Sequence, residues 1–311
     1  MLASWTERLR AFIGVNFQMN AALGRLTTYR VGGPAKGLIQ VSKLDELLLV
    51  KEAIGRLDVE VPLLVLGNGS NMLVSDRGFD GLVVKLQGSF EQLSVLSDGR
   101  AELGGAAMLP VAARKLAASG LSGFEWAVGV PGSFGGAVRM NAGGHGSEIA
   151  SSLLKVTLLD LLDEEPPKEV KASELNLSYR HSCIRDDQIV LGGEVQLGYD
   201  ADKKKLKEEI SEIVRWRREN QPGGQNAGSV FVNPDSGKKA AQLIEELGLK
   251  GLRVRSAHVS MKHANFIQCD EGGSADDVYQ LMVEIKQRVR ELLGVELKTE
   301  IRLIGFEEDA L

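Results

Sequence analysis

The sequence predicts an α+β protein of more than one domain. Strand-like and helix-like apolar spacings alternate without settling into one repeating βαβ unit. Two glycine- and asparagine-rich segments interrupt the pattern, and a Gln221-Pro222-Gly223-Gly224 break sets off a compact C-terminal α/β segment.

Taken in order, Gly37–Val41 reads as a short strand, Leu44–Ile54 as an amphipathic helix, and Val61–Leu66 as a strand running into Gly67-Asn68-Gly69-Ser70-Asn71. Leu82–Leu86 and Ala101–Leu103 continue as strands. Pro110–Ser119 reads as a helix, because proline in a first turn removes only an N–H that is unpaired there, and Gly120 ends it. Strands are expected around Leu153–Leu162 and Ile189–Leu197, with a hairpin tip at Glu164–Lys168. A charged helix follows at Asp202–Glu219. Beyond the break come a strand at Ser229–Val232, a helix at Lys239–Leu247, a strand at Asn265–Cys269, a helix at Ala275–Leu293 and a last strand at Leu297–Ile304. The expected division is 1–85, 86–220 completed by a returning strand in 297–311, and 221–296.

Bulk properties narrow the function classes. The 311 residues carry a net charge of -5, without the basic surplus of a nucleic-acid binder. No stretch is long and apolar enough for a membrane span, and the first residues, with Glu7, Arg8 and Arg10, lack a signal peptide's apolar run. A cytoplasmic protein is expected. The two cysteines, Cys183 and Cys269, are too few for a disulfide framework. The four histidines lack HExxH spacing, so no metal site is expected.

Two segments suggest ligand contact. Gly67-Asn68-Gly69-Ser70-Asn71 follows a strand, and glycines there let backbone N–H groups converge on an anion; an ordinary tight turn reads the same way. It is no dinucleotide fingerprint, because the third glycine would fall at Met72 and Asp76-Arg77-Gly78 looks like a turn. The second segment runs from Gly129 through Pro131, Gly132, Ser133, Gly135 and Gly136 to Asn141, Ala142 and Gly146. Its apolar residues Phe134, Val138 and Met140 argue against a flexible linker. Ser229, Tyr179-Arg180 and Glu300 look ordinary when taken singly.

Taken together, the segments resemble the UDP-N-acetylenolpyruvoylglucosamine reductase (MurB) family. The resemblance rests on Thr28-Tyr29-Arg30-Val31-Gly32-Gly33-Pro34-Ala35, Leu66 to Gly81, Gly129 to Gly146, Leu177 to Ser182, Gly228 to Pro234, His263-Ala264-Asn265-Phe266, and Glu300 to Gly305. It implies an FAD-binding portion of the vanillyl-alcohol-oxidase-like (PCMH) type in two subdomains, followed by an α/β substrate-binding domain. It also implies NADPH as reductant and a UDP-sugar enolpyruvyl ether as substrate.

By this resemblance FAD is contacted by Tyr29, Arg30, Gly67, Asn68, Gly69, Ser70, Asn71, Gly129, Pro131, Gly132, Ser133, Gly135, Gly136, Asn141, Ala142 and Gly146. Arg180, Ser229 and Glu300 fall at the catalytic positions, with Tyr179 and Asn233 on the substrate. Arg217 and Arg218 are added as further phosphate contacts, although a solvated helix end accounts for them equally well. Two departures stand out: Val232 replaces a basic residue common in the family, and no tyrosine-bearing insertion follows Arg180. The chain is therefore expected in the shorter subgroup, as a monomer. A different FAD oxidase, a Rossmann NAD enzyme and a non-catalytic nucleotide-sugar binder are the competing readings.

Overall fold

The structure, a computed structural model, describes residues 4–13, 17–200, 202–235 and 237–307. In chain order it opens with helix α1 (Trp5–Ile13), strands β1 (Phe17–Ala21) and β2 (Ala35–Val41), and helix α2 (Leu44–Gly55). Strands β3 (Leu63–Leu66), β4 (Met72–Val74), β5 (Phe79–Leu86), β6 (Leu93–Val95) and β7 (Arg100–Gly104) lead to helix α3 (Leu109–Ala118). Next are β8 (Leu121–Ser122), α4 (Phe134–Arg139), β9 (Gly143–Gly144), β10 (Ser147–Glu148), β11 (Leu153–Asp160), β12 (Lys168–Lys171), β13 (Gln188–Gln196) and β14 (Gly198–Tyr199). The chain ends with α5 (Lys203–Asn220), α6 (Ala240–Glu246), β15 (Arg253–Val254), β16 (Ala257–Val259), β17 (Ile267–Cys269), α7 (Ala275–Leu293) and β18 (Arg302–Ile304).

These elements form two compact units. The first comprises Met1–Asn20, Lys36–Asn68 and Gly81–Trp216, and the second Ala21–Ala35, Gly69–Asp80 and Arg217–Leu311. The first holds a four-stranded sheet in the order β1-β2-β5-β3 and a five-stranded antiparallel sheet in the order β12-β11-β13-β7-β6. Successive strand side chains point to opposite faces, so β11 and β13 separate two cores. Leu158 and Val190 join the core formed with α3, whereas Leu159, Ile189 and Leu191 join the one under α2. Helix α2 contributes Leu47, Val50, Ala53 and Ile54, the face its apolar spacing predicts.

In the second unit, β15, β16 and β17 form an antiparallel sheet. Against it α7 packs Val278, Leu281, Met282, Ile285 and Val289. Ser274 caps this helix by accepting from Asp276 N–H (3.1 Å) and Asp277 N–H (3.3 Å). Gly294 ends it at φ 68°, a left-handed conformation that costs glycine little.

Several expectations need correction. The chain forms two interleaved units, and β18 pairs in parallel with β4 within the second. The last strand is therefore Arg302–Ile304, and it does not complete 86–220. Ser229–Val232 is no regular strand; it makes isolated bridges, Ser229 with Phe266 and Phe231 with Thr299. The buried Asn265 side chain takes the place of a strand neighbour there, accepting from Phe231 N–H (3.0 Å) and donating to Phe231 O (2.8 Å). The second glycine-rich segment contains helix α4, with Ser133 at its N-cap and Gly135 and Gly136 in its first turn.

Candidate cofactor and substrate site

In the first unit the two glycine-rich segments meet. Gly67 and Asn68 leave the C-terminal end of β3, which runs parallel to β5. Asn68 Nδ2 donates to Pro131 O at 2.6 Å, and a Cβ on Gly67 would lie 2.5 Å from Ser133 Oγ. Beside this junction is a cavity of about 220 Å³, whose wall includes Gly67, Asn68, Ser133, Gly135 and Gly136. Glycine at 67 and 135 keeps the main chain at the wall; a Cβ on Gly135 would press on Gly105 O at 3.0 Å. Lys85 and Arg139 also line the cavity, with Glu91 as the opposing charge. Lys85 Nζ donates to Gly67 O at 2.7 Å, and burial pushes its pKa down against the pull of Glu91. Arg139 pairs with Asp186 and donates to Arg185 O at 3.0 Å. Main-chain walls and two cationic side chains suit an elongated ligand that carries phosphate.

Arg180 sits in a tight turn of the same unit. Ser178 and His181 exchange both main-chain hydrogen bonds, at 3.1 and 3.0 Å. Arg180 within the turn has φ 57°, a left-handed conformation uncommon outside glycine. Its NH2 donates to Gly143 O at 3.1 Å, and its guanidinium lies 4.9 Å from the centre of the Tyr179 ring. Asn141, fully buried, donates from Nδ2 to Ser178 O (3.0 Å) and accepts Ala150 N–H at Oδ1 (2.9 Å). Its side chain thereby ties the Arg180 turn to the glycine-rich segment.

In the second unit Ser229 and Glu300 are neighbours through the main chain. Glu300 N–H donates to Val230 O at 2.7 Å, and Val230 N–H donates to Asn265 O at 2.9 Å. Asn71 Nδ2 donates to Glu300 O at 3.2 Å. Asn233 Oδ1 accepts Ala240 N–H at 3.1 Å, which places it at the start of α6. Gly69 has φ 63°, and its carbonyl accepts Thr28 N–H at 3.0 Å, which joins the Thr28–Gly33 motif to the first glycine-rich segment.

Tyr29 is a core residue: fully buried, it donates its hydroxyl to Ile267 O at 3.1 Å, and burial pushes its pKa far up. Arg30 is exposed at φ 56°, and Gly146 is exposed at φ 86°. Arg217 is half-buried, with Nε donating to Gln221 Oε1 at 2.7 Å, and burial lowers its pKa; Arg218 is exposed. Lys85, Arg139, Asn265 and Gln188 at the cavity or beside Ser229 were not anticipated. Lys85 interrupts the apolar run Leu82-Val83-Val84 to Leu86 in β5, and no local pattern marks it as a ligand contact.

Among the described residues no group of three or more His, Cys, Asp or Glu could hold a metal ion, and no helix is long and apolar enough to cross a membrane. Cys183 is exposed and Cys269 buried, both as free thiols.

The chain is a flavoprotein, for residues 36–164 match the FAD binding domain family. Residues 220–304 match the C-terminal domain of UDP-N-acetylenolpyruvoylglucosamine reductase. The chain is 40% identical over 291 residues to the UDP-N-acetylenolpyruvoylglucosamine reductase of Gloeobacter violaceus, covering 93% of this chain and 96% of that one. With the enzyme of that name from Prochlorococcus marinus it shares 39% over 295 residues, covering 94% and 99%. The crystal structure of UDP-N-acetylenolpyruvylglucosamine reductase (MurB) from Thermus caldophilus matches with a TM-score of 0.75 at 36% identity, covering 93% of this chain and 98% of that one. The chain belongs to the UDP-N-acetylenolpyruvoylglucosamine reductase family, and its cofactor is FAD.

Proposed function

We propose that this flavoprotein reduces UDP-N-acetylenolpyruvoylglucosamine to UDP-N-acetylmuramate with NADPH, and that Arg180, Ser229 and Glu300 act on the enolpyruvyl group. Support comes from the family membership. The observation that carries the residue roles is the main-chain bond from Glu300 to Val230, which makes Glu300 a neighbour of Ser229 although the two are far apart in sequence.

Bound FAD, reduced by NADPH, would supply the hydride for C3 of the enolpyruvyl double bond. The double-bond pair then shifts toward C2 and the carboxylate as an enolate, which needs a cation at the carboxylate and a proton at C2. Arg180 has a permanently charged, forked guanidinium suited to that carboxylate. Ser229 Oγ–H gives the proton to C2, and the resulting alkoxide is reprotonated from solvent. Glu300 acts with Arg180 in orienting and stabilising the intermediate. Gly67, Asn68, Ser133, Gly135 and Gly136, with Lys85 and Arg139, hold the cofactor's phosphate-bearing portion. Tyr179, Asn233, Arg217 and Arg218 contact the nucleotide sugar. The same reading makes the protein a cytoplasmic monomer.

The half-reactions test this separately. Under anaerobic conditions NADPH should bleach the flavin absorbance, and the enolpyruvyl substrate should restore it. In Ser229→Ala, bleaching should stay near normal while recovery slows by roughly 10²–10⁴-fold, the usual contribution of general acid–base catalysis. Equal slowing of both steps would defeat the role given to Ser229.

A further inference from the structure

Asn71 closes the first glycine-rich segment, where the sequence led us to expect a cofactor contact. Its side chain is engaged elsewhere: Nδ2 donates to Glu300 O at 3.2 Å. Its own carbonyl accepts Arg302 N–H at 3.0 Å. The parallel ladder that follows pairs Met72 with Arg302, Leu73 with Leu303 and Val74 with Ile304. Glu300 thus lies just before the ladder, and the Asn71 amide reaches its carbonyl. On its other side Glu300 N–H donates to Val230 O at 2.7 Å, next to Ser229. Both main-chain polar groups of Glu300 are therefore held, one by Val230 O next to Ser229 and the other by Asn71.

Building on the role given to Glu300 above, we propose that Asn71 is a positioning residue that aims the Glu300 carboxylate. The direction of a side chain follows from its main chain, and Asn71 fixes the peptide that leaves Glu300. Only a donor of this length serves. Aspartate would set a carboxylate against the Glu300 carbonyl, and alanine would remove the Asn71 donor. Histidine can present Nδ1–H close to the place that Asn71 Nδ2 occupies. Misplacing a reacting group by about 1 Å costs up to roughly 10²-fold in rate. The loss should therefore appear in the step that uses Glu300 and not in cofactor retention.

The test uses the purified holoenzyme and the variants Asn71→Ala, Asn71→Asp, Asn71→His, Glu300→Gln and Asn71→Ala/Glu300→Gln. Bound FAD is quantified from absorbance, and the two half-reactions are followed anaerobically by stopped flow. For Asn71→Ala and Asn71→Asp we expect full FAD content, NADPH bleaching within about twofold of wild type, and recovery by the enolpyruvyl substrate slowed about 10- to 100-fold. Asn71→His should regain most of the recovery rate. The double variant should recover no more slowly than Glu300→Gln, because a residue acting through Glu300 adds nothing once that carboxylate is gone. FAD loss, equal slowing of both half-reactions, an unchanged recovery rate in Asn71→Ala, or multiplicative slowing in the double variant would each overturn the inference. If Glu300→Gln itself recovers at the wild-type rate, the role given to Glu300 falls as well. A slow Glu300→Gln beside a normal Asn71→Ala removes this inference alone.

Discussion

Asn141 holds Ser178 by a 3.0 Å hydrogen bond from its amide, across 37 residues of sequence. The acceptor begins the turn in which Arg180 adopts φ 57°, a conformation that costs a non-glycine residue roughly 1–2 kcal/mol. The turn is kept by its own two main-chain bonds, by Asn141, and by the bond from Arg180 to Gly143 O. Asn141→Asp keeps the acceptor for Ala150 N–H but loses the donor to Ser178. We expect it to lower stability by about 1–3 kcal/mol, as for a buried polar group left unpaired. It should also raise KM for the enolpyruvyl substrate while NADPH still bleaches the flavin. Urea denaturation and steady-state kinetics would check both; an unchanged KM would show that the Arg180 turn stands without Asn141.

Gly67→Ala tests the cavity. The new Cβ would meet Ser133 Oγ at 2.5 Å, and that hydroxyl caps α4 by accepting Gly136 N–H at 3.4 Å. Overpacking of this kind costs roughly 1–3 kcal/mol, so FAD affinity should fall about tenfold or more. Removing the hydroxyl in Gly67→Ala/Ser133→Ala should return part of it. Fluorescence titration of the apoprotein with FAD gives the answer, and a single variant that binds FAD normally would place the cofactor away from Gly67.

What the sequence revealed, and what it hid, follows from the range of the interactions. Helices α2, α3 and α7 were legible because apolar spacing and end signals are local. The glycine-rich segments were legible because a close main-chain approach demands glycine wherever it occurs. Helix α4 was hidden inside one of them, since Gly135 and Gly136 have poor helix propensity and tertiary packing overrides it. Ser229–Val232 forms no regular strand because the Asn265 side chain, 34 residues away, takes both main-chain groups of Phe231. The amides of Asn71 and Asn141 reach carbonyls 229 and 37 residues distant, which no local pattern announces.

Asp277 should make the second unit sensitive to acid. Burial by itself would raise its pKa. Hydrogen bonds from Ser256 N–H (3.1 Å) and Oγ–H (2.6 Å), with the charge of Arg255, hold it below the ordinary carboxylate range instead. A carboxyl depressed in the folded state contributes stability at every pH above its unfolded pKa, about 3.9, and that stability is lost as pH falls through the folded value. Stability should therefore drop below about pH 4, and Asp277→Asn should flatten the drop while lowering stability at pH 7. Urea midpoints at both pH values decide it; parallel pH profiles for variant and wild type would remove Asp277 from the account.

Asp76 provides a contrast, a residue of the same unit whose effect should be on stability alone. It follows β4 and accepts from Ser274 Oγ–H, Ala275 N–H (3.1 Å) and Asp276 N–H (3.2 Å), so its carboxylate meets first-turn donors of α7, sharing Asp276 N–H with Ser274 Oγ. A capping side chain contributes about 1 kcal/mol, and a negative charge at a helix N-terminus about 0.3–1 kcal/mol more. Asp76→Ala should lose both contributions. Asp76→Asn keeps an acceptor and should lose mainly the charge, a loss that shrinks as salt is added. Urea denaturation at low and high ionic strength separates the two. The half-reaction rates should match wild type in both variants, because Asp76 holds α7, whereas Asn71, five residues earlier, holds Glu300. Slowed recovery by the enolpyruvyl substrate in Asp76→Ala would show that the capping of α7 and the placement of Glu300 are coupled.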